Sequence, residues 1–120
     1  MNAEKTEILR NNADARSQHH AMLVDDFRLV ILQAKSITNL KMLRLNSVVE
    51  KVGLSRPTIW KRVAEGTFPP PVPVGERAVG WFQHEVDALL QATAISSRKH
   101  IPLNLHLFVQ RLTDVGVAES

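Results

Sequence analysis

The segment VGLSRPTIWKRV, Val52 to Val63, decides the fold because it contains a turn, a helix start and a basic helix. Gly53 predicts the end of a preceding helix, since glycine takes a left-handed backbone at no steric cost. Ser55 predicts the N-cap of the next helix, and Pro57 falls in the first turn, where proline breaks no intrahelical hydrogen bond. The segment therefore predicts two helices joined by a tight turn.

The apolar residues on either side of this turn predict which helix faces are buried. In the first helix, which we expect Asn46 to cap and Lys51 to end, the inward residues are Leu45, Val48, Val49 and Val52. In the second helix, Ile59 and Val63 are four residues apart and form the buried stripe. Gly66 predicts the end of that helix.

A proline-rich segment, TFPPPVPVGERAVGW at residues 67–81, follows the second helix. Its prolines exclude a helix or a central strand but suit an edge strand, and GERA supplies a turn to a returning strand. Helical spacing then predicts a helix over 83–92, a loop at SSRKHIP and a weaker terminal helix over 103–112. The predicted fold is mainly α with a small β-hairpin: a winged helix-turn-helix, an N-terminal amphipathic helix and a C-terminal extension.

The chain divides by pattern into three parts. Residues 1–41 are predicted to be an extension with a disordered start and an amphipathic helix over 21–34, residues 42–92 the winged helix-turn-helix, and residues 93–120 a C-terminal extension. The helix over 21–34 has three interpretations: it dimerises the protein, binds an integrase, or covers apolar surface of the winged domain. Met42 is an alternative natural start, which would make residues 1–41 an upstream extension.

Composition excludes several classes of protein. The 120 residues contain no cysteine, which rules out disulfides, thiolate metal sites and cysteine nucleophiles. No secretory signal and no apolar run of membrane-spanning length occur, so we expect a cytoplasmic protein. The histidines lack partners at ligand spacing, and no acid pair or Ser-His arrangement indicates catalysis. The sequence predicts neither a cofactor nor an enzyme.

The second helix of the turn presents a basic surface. The net charge of the chain is only +3, but no acidic residue occurs between Ser55 and Ala64. If the apolar stripe points inward, Pro57, Trp60, Lys61 and Ala64 point outward. A helix of this kind fits a major groove, where Arg56 would read guanine while Lys61 and Arg62 neutralise phosphates. The alternative is an ordinary solvated helix face.

The predicted DNA-binding residues are Ser55, Arg56, Thr58, Trp60, Lys61, Arg62 and Arg77. Thr58 would donate to a phosphate or touch a thymine methyl, and Arg77 would support the helix from the hairpin tip. Trp60 has two interpretations, contact with the sugar-phosphate backbone or packing on the prolines of the hairpin. For Trp81 we expect burial in the core.

Residues 43–90 resemble the AlpA family of phage and prophage regulators, which are relatives of the excisionases and of the MerR-type winged-helix group. The resemblance lies in five motifs: Gly53-Leu54-Ser55, Thr58-Ile59-Trp60-Lys61, Gly66-Thr67-Phe68-Pro69-Pro70-Pro71, Gly75-Glu76-Arg77-Ala78-Val79-Gly80-Trp81 and Glu85-Val86-Asp87-Ala88. Pro70 and Pro73 stand where the family often has a basic residue. This departure from the family pattern predicts a wing that is stiffer and less positive than usual, with Arg77 near the tip as its only cation.

The resemblance implies a DNA-binding regulator carried by a mobile element. One form is a sequence-specific transcriptional regulator, and the other is an excisionase that bends attachment-site DNA and assists an integrase. The implied partners are double-stranded DNA, an integrase or recombinase, and further copies of the chain on DNA. A competing class is a protein-interaction module that binds a recombinase and touches DNA only incidentally.

Overall fold

A computed structural model describes residues 23–115 and has a mainly helical fold with a small antiparallel sheet. Its elements are α1 Asp25–Lys35, β1 Met42–Leu43, α2 Leu45–Val52, α3 Arg56–Glu65, β2 Val72–Gly75, β3 Ala78–Phe82, α4 Gln83–Lys99 and α5 Leu105–Leu112. The predicted fold class is confirmed, including the N-terminal amphipathic helix. The predicted disordered start and the first two residues of the predicted helix, Ala21 and Met22, lie outside the described residues.

The turn between α2 and α3 forms as the sequence predicts, with one correction. Gly53 ends α2 in the left-handed region with φ 73°, and its N–H donates to the Val49 carbonyl. Asn46 does not cap α2: the helix begins at Leu45, and the extended residue before it is Arg44, whose side chain makes no capping hydrogen bond. Because Arg44 directly follows strand β1, the strand sets where the helix begins.

The sheet has three strands in the order β1-β3-β2, and both pairings are antiparallel. The sequence analysis missed β1, which pairs Met42 with Phe82 and Leu43 with Trp81. Because β1 and β3 approach closely at this point, position 80 has no room for a side chain, which explains why it is glycine. A Cβ atom there would lie 2.6 Å from Met42 Cγ and 3.0 Å from the Leu43 carbonyl oxygen.

The core lies between the helices and the inner face of the sheet. Its fully buried side chains include Phe27, Val48, Ile59, Phe68, Trp81, Val86 and Phe108. Helix α1 packs on α4 and α5, and the rings of Phe27 and Phe108 meet edge to face at 6.4 Å. Of the three interpretations of this helix, the structure shows that one face covers apolar surface of the rest of the protein.

Helix α4 is longer than predicted, and the loop expected at SSRKHIP is wrong in its first half. Residues 96–99 are helical, and the helix ends at His100, which takes a left-handed backbone with φ 56°. The Ser96 hydroxyl donates to the Ile101 carbonyl at 2.6 Å, and the Ile101 N–H donates to the Ser96 carbonyl at 3.1 Å. These contacts hold the chain against the end of α4 before Asn104 caps α5.

Candidate nucleic-acid interface

Helix α3 begins with a side-chain cap. The Ser55 hydroxyl accepts from the Thr58 N–H at 3.4 Å and donates to the Thr58 hydroxyl at 2.9 Å. Since the Thr58 oxygen is the acceptor in the second bond, its own hydrogen remains able to donate outward. Pro57 stands in the first turn, as predicted. The cap fixes the direction in which the first residues of α3 point.

The outward face of α3 agrees with the helical periodicity. Pro57, Trp60, Lys61 and Ala64 are exposed, whereas Ile59 on the opposite side is fully buried. The Lys61 side chain is 74% exposed and lies 4.0 Å from a carboxylate oxygen of Glu65, one helical turn away. A solvated pair at that distance holds the ammonium only weakly, so Lys61 can move to another anion.

Arg56 is the first residue of α3 and is exposed. Within residues 23–115, no hydrogen bond or ion pair engages its guanidinium group. The same holds for Arg77, which is exposed in the turn between β2 and β3. Two planar donor groups are thus available, one at the start of the helix and one at the tip of the hairpin.

Arg62 lies on a different side of the helix from Trp60. Successive residues of an α-helix are about 100° apart, so these two side chains diverge by about 160°. Arg62 is half-buried and borders a cavity of about 190 Å³ that Leu54, Leu89 and Leu105 also line. The predicted site residues therefore occupy two flanks of α3, with Lys61 between them.

Trp60 contacts the sheet through a second tryptophan. Its ring centroid is 5.5 Å from that of Trp81, and the two planes are inclined by 59°. Trp81 is completely buried, as expected, and its indole N–H donates to the Pro69 carbonyl at 2.9 Å. Trp60 itself remains 42% exposed. The aromatic pair therefore joins the outward face of α3 to strand β3 and to the proline segment.

Sequence reasoning passed over two exposed cations, Lys41 and Arg44, at the start of the helix-turn-helix. They flank strand β1, and the first turn of α2 contains no acidic residue. The signal that could have identified them is the tetrapeptide KMLR at residues 41–44, in which the two cations enclose two apolar residues.

An ion pair fixes α2 against α4. The Lys51 ammonium lies 2.9 Å from a carboxylate oxygen of Asp87, and both side chains are partly exposed. In the first turn of α4, two side chains, His84 and Glu85, have shifted pKa values. Burial lowers the pKa of His84 against the opposing effect of Asp87, and the buried His84 Nδ1 has no hydrogen-bond partner among the described residues.

Glu85 makes the free energy of unfolding depend on pH. Burial raises the pKa of Glu85 to about 7, against the opposing charge of Lys35. A carboxyl with a raised folded-state pKa favours folding while protonated, and this advantage is lost as pH rises from about 4.5 to about 7. We expect Glu85→Gln to change the free energy of unfolding little at pH 5 and to raise it by about 1–2 kcal/mol at pH 8.

The measurement for Glu85→Gln is urea denaturation at several pH values, relative to the wild-type chain. Glu50→Gln, at an exposed position on α2, is the matched control because it makes the same chemical change. A difference between Glu85→Gln and wild type that does not grow between pH 5 and pH 8 would contradict the assigned burial effect.

The described residues contain neither a cluster of metal-ligating side chains nor a helix suited to span a membrane. Between Leu23 and Val115, no three His, Cys, Asp or Glu side chains come together as they would around a metal ion. None of the helices in that part of the chain is both long enough and apolar enough to cross a membrane.

Comparison with known proteins identifies the region that contains this surface. Residues 41–94 match the family described as prophage CP4-57 regulatory protein (AlpA). The chain is also 38% identical over 69 residues to an uncharacterized protein, ORF88, of Enterobacteria phage P4, an alignment that covers 58% of this chain and 77% of the phage protein. No solved structure matches the chain. The family match coincides with the helix-turn-helix and hairpin.

Proposed function

Because this chain belongs to the AlpA family of prophage regulatory proteins, we propose that it is a sequence-specific DNA-binding transcriptional regulator of a prophage or integrative element. Helix α3 enters the major groove with its capped end leading. The observation that carries this proposal is the outward face of α3, where Arg56 is unpaired within the described residues and Lys61 is held only loosely.

Each residue of this surface has a distinct role in the proposal. Arg56 reads a guanine through its planar fork, and Thr58 donates to a phosphate beside the capping hydroxyl of Ser55. Lys61 and Arg62 neutralise phosphates on the two sides of the groove, and Arg77 reaches the backbone from the hairpin. Trp60 borders the sugar-phosphate backbone while its ring contact with Trp81 holds the hairpin at a fixed angle to α3.

A mobility-shift titration tests the proposal. The probe is the region upstream of the chain's own gene, and the control is a scrambled duplex of the same length and composition. We expect tighter binding to the upstream probe, with an affinity for both duplexes that falls as salt rises because counterions are released. A folded protein that shifts neither duplex in low salt would contradict DNA binding.

The excisionase role uses the same surface and differs in what happens to the DNA. An excisionase would bend its site and recruit an integrase, so excision of an attachment-site substrate by the integrase of the same element, with and without this chain, separates the two roles. For the proposed regulator we expect altered transcription from the bound promoter and an unchanged rate of excision. Association with an integrase or recombinase in the absence of any DNA shift would instead favour a protein-interaction module.

A further inference from the structure

Helix α1 has apolar residues on two opposite faces. Its inner residues Phe27, Val30, Ile31 and Ala34 are buried. Its outer residues Leu29 and Leu32 are 54% and 66% exposed. At about 100° per residue, these leucines lie within about 60° of each other and roughly opposite the buried stripe. The protein's own fold therefore uses only one of the two apolar faces.

Two further apolar side chains are exposed beyond the outer leucine face, which we define as Leu29 and Leu32. Ile37 and Leu40, which follow the helix, are also exposed. Leu29 borders an open groove of about 390 Å³ between α1 and α4, which Ile95 also lines. An apolar surface with an adjoining groove is typical of a protein-interaction site.

We propose that the outer leucine face pairs with the same face of a second copy of this chain, with the two α1 helices antiparallel and Leu29 of each copy against Leu32 of the other. The charges of the helix favour this arrangement. Asp25, whose side chain is 98% exposed, lies in its first turn and Lys35 in its last, so antiparallel packing places an acid of one copy near the cation of the other. Asp26 is already paired with Lys99 of its own chain, whereas the ammonium of Lys35 donates to the Asp114 carbonyl and keeps further hydrogens for a carboxylate of the second copy. The helix dipoles then also oppose each other, whereas parallel packing would align them.

The size of this contact determines how strong the dimer is. An 11-residue helix is about 16 Å long, so two such helices bury less than the roughly 1,200 Å² that stable interfaces need. We therefore expect a weak, concentration-dependent dimer in solution. The dimer contact is formed by α1, which packs on α4 and α5 within its own chain. It therefore does not use the proposed DNA-binding surface of α3. The inference holds whether or not the chain binds DNA.

Cysteine cross-linking tests the pairing, because the chain contains no cysteine of its own. Full-length Leu29→Cys and Leu32→Cys are oxidised separately and as an equal mixture, and cross-linked peptides are identified by mass spectrometry. Antiparallel pairing predicts several-fold more 29–32 cross-links in the mixture than 29–29 or 32–32 cross-links, because only that pair meets at disulfide distance. Val74→Cys, at an exposed apolar position on β2, is the matched control and should give background levels.

Sedimentation equilibrium provides the second measurement. The average mass of the wild-type chain should rise with concentration, while Leu29→Glu/Leu32→Glu should remain monomeric with an unchanged Tm and Val74→Glu should behave as wild type. The proposal is overturned by a wild-type chain that is monomeric throughout, or by a mixture that cross-links no more than the separate variants. The latter result, together with an altered Tm for the glutamate variant, would point to residues 1–22 as the occupant of this face.

Discussion

Replacing Trp81 by alanine is expected to lower the free energy of unfolding by about 3–5 kcal/mol, the loss typical of a buried large aromatic side chain. Trp81 is completely buried, and its ring packs against Trp60. The change also leaves the Pro69 carbonyl without the indole N–H that donates to it. Urea denaturation followed by circular dichroism measures the loss. Because a small domain is only marginally stable, the variant should be largely unfolded at 37 °C.

Trp60→Ala is the matched control, because it removes the same side chain from the exposed half of the pair. Trp60 is already 42% exposed, so we expect a loss of only about 1 kcal/mol. Trp81→Phe keeps an aromatic ring but removes the N–H donor, and should fall between the two. Equal losses at positions 60 and 81 would contradict the structure, since they would place both rings in the core.

Arg56→Ala is expected to weaken binding to the specific DNA site by about 1–3 kcal/mol and binding to random DNA much less. The reason is that Arg56, at the leading end of α3, is assigned to a base edge. Lys61→Ala should weaken binding to both kinds of DNA alike and reduce the salt slope by about 1, because its partner is a phosphate. Fluorescence anisotropy at several salt concentrations measures the affinity of each variant and of the wild-type chain for both duplexes.

The control for both variants is Arg28→Ala, which also removes one exposed positive charge but on α1. It should leave both affinities close to the wild-type values. If Arg56→Ala reduced specific and random binding by the same factor, Arg56 would be a phosphate contact. If Arg28→Ala had as large an effect as Lys61→Ala, net charge rather than the α3 surface would explain the affinity.

The sequence predicted best where structure is determined by neighbouring residues. The glycine end of α2, the Ser55 cap and the buried position of Ile59 depend on residues within one or two helical turns, and the structure shows all three. The hairpin could also be predicted, because its prolines and its turn lie close together in the chain. These features needed no knowledge of distant contacts.

The sequence failed where a distant contact decides. Strand β1 has two residues, and its partner strand is about 40 residues away, so no local pattern identifies it. That strand also moved the start of α2 away from the predicted cap at Asn46. Residues 96–99 extend α4, although their serines and charges predicted a loop. The helix ends only at His100, and the Ile101 N–H then donates back to the Ser96 carbonyl.

The candidate site shows the same division. Helical periodicity predicted which α3 side chains are exposed, but it could not show that Trp60 packs on Trp81, a contact that joins two separate elements. The roles assigned to Ser55, Arg56 and the other DNA-binding residues stay predictions. So does the division of the chain at residues 41/42 and 92/93.

The two outermost strands of the sheet limit how the protein can aggregate. Strand β1 has only two residues, and β2 has four, one of which, Pro73, has no backbone N–H. A foreign strand therefore finds few amide groups to pair with on either border, a property that protects β proteins from amyloid-like stacking. Many copies of this chain could accumulate at high local density without polymerising through their sheets.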